Sequence, residues 1–295
     1  MSILAKIFPL NEDGASDNYE KFKAFWSQVE GCKVEKIDMK NYTPPRKAED
    51  FKKQLKDLKN TFEEGGYEYL VLAVSSHGVE QEQDTVEKDS TGNDKTGIEV
   101  SLEIAWRSNR YKVNELLKIF EDVKDKQKIF IMQMCRNRSD ERTVTKLGRD
   151  QGVHHSNTVP SFGSHVPANG NQQTPEELST GASGRSLSTG ALNSMPWPKT
   201  WKLAQPCIRD SIVMFSSPSG YLSYHNLNME DAGGWIFVIM EKLLKSLKGE
   251  KISVIDLFLM VNQKMSETFT INDKYIGLSS FNHMLTQDII IKFKN

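Results

Sequence analysis

The sequence predicts an α/β fold, a central, mostly parallel sheet with helices on both faces. Three observations predict it. Residues 69–74 (YLVLAV) and 129–134 (IFIMQM) are continuous apolar runs, as expected of strands buried on both faces. Segments with apolar residues at helical spacing alternate with such runs along the chain. That alternation stops near residue 137 and resumes near 205, and the stretch between is rich in Gly, Ser, Thr, Asn and Pro and poor in aliphatics.

Each element has its own signal. Residues 4–8 form the first strand. Ser16 is expected to cap a helix whose apolar face is Tyr19, Phe22, Trp26 and Val29. Residues 32–37 form a second strand. Pro44 and Pro45 make a turn before a long helix with Phe51, Leu55, Leu58 and Phe62 on one face and Lys/Glu on the other. The 69–74 strand runs into Ser76-His77-Gly78. Residues 79–100 are acidic and polar and are expected to form a loop. Residues 113–123 are an amphipathic helix, and the 129–134 strand ends at Cys135. Beyond residue 204 follow a strand at 211–216, helices at 235–247 and 254–265, and a final strand at 284–293.

This organisation implies one domain in three parts: 1–136, a flexible linker at 137–204, and 205–295. The linker cannot bury enough apolar surface to offset its ordering entropy. The chain has 295 residues with 38 Lys+Arg against 39 Asp+Glu, a net charge of −1. That balance argues against a nucleic-acid partner. No apolar run approaches the roughly 20 residues of a bilayer span, so no membrane association is expected. The opening MSILAKIFPL lacks a basic leader and reads as a strand rather than a signal peptide. The three cysteines, Cys32, Cys135 and Cys207, do not make a disulfide framework, and a reducing, cytoplasmic setting is expected.

The chemistry sits at strand ends. In open α/β sheets ligands bind beyond the carboxyl ends of the strands. One strand ends at His77-Gly78 and the other at Cys135. A thiol and an imidazole there make a nucleophile with its proton carrier. Gly78 leaves its backbone N–H accessible, and with the amide of Cys135 it suits an oxyanion hole. His154, His155 and His165 have no carboxylate or cysteine at ligand spacing, so neither metal nor cofactor is expected.

Local wording adds a family. Gln133-Met134-Cys135-Arg136 resembles the caspase nucleophile motif Gln-Ala-Cys-Arg/Gln/Gly-Gly. Ser76-His77-Gly78 resembles the caspase Ser-His-Gly, and 58 residues separate His77 from Cys135, against about 50 in that family. Residues 216–226 (SSPSGYLSYHN) resemble the small-subunit segment Ser-Thr-x-Pro-Gly-Tyr-x-Ser-Trp-Arg-Asn. Gly233-Gly234-Trp235 resembles its Gly-Ser-Trp, and Met284-Leu285-Thr286 its last-strand Met-Leu-Thr. The resemblance spans almost the whole chain in family order.

What it implies is a caspase-like three-layer sandwich with a mostly parallel six-stranded sheet. It further implies a precursor cut in the linker and a dimer formed through the last strand. With no adaptor domain ahead of the first strand, the likeness is to short-prodomain effector forms. Carried over, Cys135 is the nucleophile, His77 the general base and acid, and Gly78 with Cys135 the oxyanion hole. Gln133 lines the S1 pocket, while Ser223, Tyr224 and Trp235 bind the substrate. Caspases grip a P1 aspartate with two arginines and a glutamine. Here His225 replaces one arginine. The loop expected to carry the other is Asn11-Glu12-Asp13-Gly14-Ala15-Ser16, which contains none. Residues 134–138 (MCRNR) also resemble the paracaspase Met-Cys-Arg-Lys-Arg, although the preceding paracaspase aspartate is here Gln133.

Three functions stay open at this point: a cysteine endopeptidase with weakened or altered P1-Asp specificity, an aspartate-specific caspase with its second arginine elsewhere, and a pseudo-caspase regulator. The partners are protein substrates and a second copy or another caspase. Asp140 and Asp150 are candidate processing sites for aspartate-directed cutting, and Arg149 and Arg185 for basic-directed cutting. Because a charge-assisted hydrogen bond contributes about 1.5–3 kcal/mol, His225→Arg is expected to raise kcat/KM on P1-Asp peptides by about tenfold or more. An unchanged Asp rate would remove His225 from the pocket.

Overall fold

The computed structural model describes residues 1–11, 14–88, 92, 94–137, 200–202, 206–223, 225–226, 232–268, 270–271 and 275–295. Glu12, Asp13, Asp140, Arg149, Asp150, His154, His155, His165, Arg185 and Tyr224 lie outside the described residues, and of His225 only the backbone is described. In order the chain forms β1 (Ile3–Pro9), α1 (Ala15–Trp26), β2 (Cys32–Val34), α2 (Ala48–Glu64), β3 (Tyr69–Ser75), β4 (His77–Lys88), β5 (Asp94–Trp106), β6 (Asn109–Lys112), α3 (Val113–Lys118) and β7 (Gln127–Gln133). Then come β8 (Thr200–Lys202), β9 (Ser211–Phe215), β10 (His225–Asn226), β11 (Gly233–Gly234), α4 (Trp235–Leu247), β12 (Lys251–Ser253), α5 (Val254–Thr268), β13 (Thr270–Ile271), β14 (Tyr275–Ile276), β15 (Ser280–His283) and β16 (Ile290–Lys292).

Six strands make the central sheet, in the order β15-β9-β7-β3-β1-β2. All neighbours run parallel except β15, which is antiparallel to β9. Strand side chains alternate between two faces, and both faces here are apolar. Ile3, Ala5, Ile7, Val71, Ala73, Ile129, Ile131, Ile212 and Met214 pack on one side with α1, α4 and α5. Leu4, Phe8, Leu70, Leu72, Val74, Phe130, Met132, Val213 and Phe215 pack on the other with α2, α3 and the β4–β5 hairpin. The expected sandwich with helices on both faces is therefore present. Among the described residues no helix is long and apolar enough to cross a membrane.

Several elements differ from the sequence reading. Ser16 does not cap α1: Gly14 takes the cap position in a left-handed conformation (φ 74°), and no side chain caps there. Residues 79–88 and 94–100, expected in a loop, are instead most of the paired strands β4 and β5. β5 ends in a period of two, with Val100, Leu102, Ile104 and Trp106 buried and their neighbours less so. The strand expected at 32–37 stops at Val34, and the helix expected at 113–123 stops at Lys118, with tighter turns beyond it. The final strand is split. Residues 284–289 interrupt it with a polar turn, in which Thr286 hydrogen-bonds Asp210. Ile289, Ile291 and Phe293 then resume the buried alternation, and β16 pairs with β12 instead of the central sheet.

Phe51 holds the α2 layer in place. Its ring lies 5.3 Å from Phe8, 5.3 Å from Trp106 and 5.5 Å from Tyr111, in edge-on geometry favoured by aromatic pairs. The Trp106 indole N–H donates to the Pro45 carbonyl at 2.7 Å, tying the hairpin to the turn before α2. Phe51→Ala is expected to cost about 3–5 kcal/mol, measured by denaturant unfolding. A loss below about 1 kcal/mol would mean that the aromatic cluster does not close this layer.

Candidate active site

The site is assembled at the carboxyl ends of β3 and β7. These strands pair in parallel register up to Ser75 opposite Gln133. His77 and Cys135 each lie two residues beyond that pair, so one register brings both chain segments to the same edge. The Ser76 N–H donates to the Gln133 carbonyl at 3.1 Å, extending the pairing past the strand ends. His77 is exposed, Cys135 half-buried and Gly78 buried.

Gly78 and Cys135 touch through backbone. A Cβ at Gly78 would stand 2.3 Å from the Cys135 carbonyl oxygen and 2.6 Å from the Met134 side chain. A glycine here is a requirement of close approach, and it holds the start of β4 against the candidate nucleophile. Beyond Phe215 the chain turns back over this edge. The Ser223 N–H donates to Cys135 Sγ at 3.3 Å, and Sγ lies 3.5 Å from the Ser223 carbonyl oxygen as donor. Ser216 Oγ accepts from the Met134 N–H at 2.9 Å and lies 2.6 Å from Ser223 Oγ. Ser217 Oγ donates to the Met134 carbonyl at 3.3 Å. The thiol is thus seated between β7 and the segment at 217–223.

Gln133 is brought to the same place, but it is busy. Its Nε2 donates to Ser223 Oγ at 2.7 Å, and its Oε1 accepts from the Ile236 N–H at 3.4 Å. The second contact satisfies one of the amides that every helix leaves unpaired at its N-terminus. Gly234 accommodates it: a Cβ there would meet Gln133 Cδ at 2.3 Å. Trp235, expected to bind substrate, opens α4 and packs in the core at 8% exposure.

Three contributors were missed by sequence reasoning. Asn18 is buried. It donates to Ser75 Oγ at 2.6 Å and accepts from the Gly234 N–H at 2.6 Å. Its signal was its place four residues before Phe22, on the apolar side of α1. Glu80 and Arg136 are also buried, and they form an ion pair at 2.9 Å behind Cys135. Burial pushes the Arg136 guanidinium down in pKa, and Glu80 pushes it back. Glu80 was hidden in the stretch that looked like a solvated loop.

The other two thiols are in different surroundings. Burial pushes Cys32 up to about 12, and it also raises Cys207. Neither is a thiolate near neutral pH, and thiolates are the reactive form. Among the described residues no group of three or more His, Cys, Asp or Glu is placed to hold a metal ion. A thiol seated beside a backbone turn, with a histidine opening the next strand at the same sheet edge, brings together residue types that acyl transfer uses.

Comparison with known proteins follows the same lines. The profile of the caspase domain, in the peptidase C14 family, matches residues 13–290. No curated protein matches the chain. Among solved structures, caspase-1 from Spodoptera frugiperda is similar with a TM-score of 0.55 and 16% identity, over 97% of this chain and 88% of that one. The Drosophila initiator caspase Dronc gives a TM-score of 0.50 at 8% identity, over 97% of this chain and 81% of that one. A protein from Geobacter sulfurreducens gives 0.51 at 10% identity, over 97% of each chain. At such identities these structures speak for the fold.

The two close approaches generate an ordered prediction. Gly78→Ala meets a backbone carbonyl, whereas Gly234→Ala meets a side chain that can swing away. Gly78→Ala is expected to cost about 1–3 kcal/mol in urea unfolding, and Gly234→Ala less. The reverse order would mean that β4 does not press on Cys135.

Proposed function

Since the chain belongs to the caspase-domain peptidase family, we propose that it is a cysteine endopeptidase using Cys135 and His77, with weakened or altered preference for aspartate at P1. The observation that carries this reading is the register that brings the His77 and Cys135 segments to one sheet edge, with Gly78 against the Cys135 carbonyl. In this reading Cys135 Sγ, as thiolate, attacks the scissile carbonyl. The amides of Gly78 and Cys135 stabilise the charge that develops on its oxygen. His77 gives its proton to the departing amine, leaving an acyl-enzyme thioester. Water, deprotonated by His77, then releases the acid and restores the thiol.

The P1 preference follows from what surrounds Gln133. Among the described residues its side chain bonds neutral groups, the Ser223 hydroxyl and the Ile236 amide, while Asn18 and Ser75 at the same sheet edge bond each other. Arg136 is committed to Glu80, and Lys21 to Glu241 at 2.6 Å. No arginine fork of the kind that selects a carboxylate stands among these described residues.

A second reading, a catalytically weak regulator that pairs with an active caspase, draws on two observations. The Cys135 thiol is engaged by the Ser223 backbone on both its donor and acceptor sides. β15 forms an outer edge of the central sheet, where a further strand can add. Both readings are addressed by peptides that differ only at P1, with Cys135→Ala as control. Turnover lost in Cys135→Ala, and not confined to P1-Asp, is expected. Cleavage after Asp alone would overturn the altered specificity. No turnover at any P1, together with heterodimer formation, would support the regulator.

A further inference from the structure

The residue after Cys135 is a buried arginine whose partner is a fully buried glutamate two positions past Gly78. Glu80 Oε1 accepts from Nε and Nη2 of Arg136, each at 2.9 Å. Glu80 Oε2 accepts from Ser219 Oγ at 2.6 Å. The guanidinium carbon lies 4.4 Å from the centre of the Phe215 ring. A buried ion pair contributes little net stability, because desolvation offsets the attraction. What this one does is join three segments: β4, the turn carrying Cys135, and the 217–223 segment.

Little of that last segment is buried; Ser217 ties its start to Met134, and Gln133 and Ser216 hold its end at Ser223. Of residues 217–223 only Ser217 is buried, and Tyr221 is 63% exposed. Its ties are polar. The Arg136 N–H donates to the Tyr221 carbonyl at 2.9 Å, and the Gly220 N–H donates to the Arg136 carbonyl at 2.8 Å. Ser219 reaches Glu80, and the Glu80 N–H in turn donates to the Asn137 carbonyl at 2.9 Å. The segment ends at Ser223, whose backbone holds Cys135 Sγ.

We propose that Glu80 and Arg136 are positioning residues: their buried pair fixes the 217–223 segment across the Cys135 thiol and sets how that thiol is presented. The inference rests on reading Cys135 as the nucleophile. Glu80 and Arg136 need touch neither substrate nor the reacting atoms. They act through Ser219 and the main chain at 220–223.

The three cysteines supply the test. Iodoacetamide alkylation of the full chain, followed peptide by peptide in a mass spectrometer, reads Cys32, Cys135 and Cys207 separately. Ser219→Ala and Glu80→Gln are expected to speed alkylation of Cys135 several-fold and leave Cys32 and Cys207 unchanged. Ser219→Thr, which keeps the hydroxyl, should restore the original rate. Ser219→Ala removes one oxygen from a half-exposed side chain, so it is the variant to read if Glu80→Gln unfolds. In a peptide assay both variants should lower kcat more than they change KM. An unchanged Cys135 rate in Ser219→Ala overturns the proposal, and so does a rise shared equally by all three cysteines. If the unaltered protein cleaves no peptide, the endopeptidase reading fails, while the alkylation rates still decide the role of the pair.

Discussion

The parallel pairing of β3 with β7 is the constraint on which the rest depends. It is a backbone interaction, paid for by two apolar strands buried on both faces. Once Ser75 sits opposite Gln133, the two segments that follow have no choice of level. A shift of one residue would reverse every side chain between the two faces, so the register is held by the whole core. The candidate site therefore inherits its geometry from hydrophobic burial that lies some distance from it.

Around that edge the chain solves a second problem. Helix α4 begins at the sheet's carboxyl end and brings unpaired amides into a buried region. Asn18 and Gln133 accept from them, and the same two side chains donate to Ser75 and Ser223. One layer of neutral groups thus ties α1, β3, β7, α4 and the 217–223 segment together. The cost is that Gln133 is not an idle pocket wall. A substrate side chain reaching it would have to compete with bonds already made.

Much of this was legible in the sequence, for identifiable reasons. Continuous apolar runs announced β3 and β7, and helical spacing announced α1, α2 and α4, because burial on these elements is regular. The positions of His77 and Cys135 were readable from where those runs ended. The hairpin was not, since β4 carries Glu80, Glu82 and Asp84 at alternating positions in a stretch that looks solvated. Glu80 departs from its neighbours only because Arg136 arrives from 56 residues away. Such a pairing is a tertiary fact that local composition does not carry. Asn18 was masked in the same manner: an asparagine within a helix reads as a surface residue until Gly234 is found against it. The last strand misled for a different reason. A run from 284 to 293 has enough apolar residues for one strand, but the turn at 284–289 leaves only Ile290–Lys292 as strand, paired with β12 outside the central sheet.

The central sheet draws β1, β2, β3 and β7 from before residue 138 and β9 and β15 from after residue 199. The two lengths of chain also share their packing: Phe22 meets Phe237 edge-on at 6.2 Å, and β8 lies along β5 with Thr200 opposite Gly97. Breaking the peptide backbone anywhere in between would sever covalent continuity without freeing either piece. Neither fragment could keep its apolar surface from water alone. The nicked protein would run as two bands on a denaturing gel and travel as one particle in native solution.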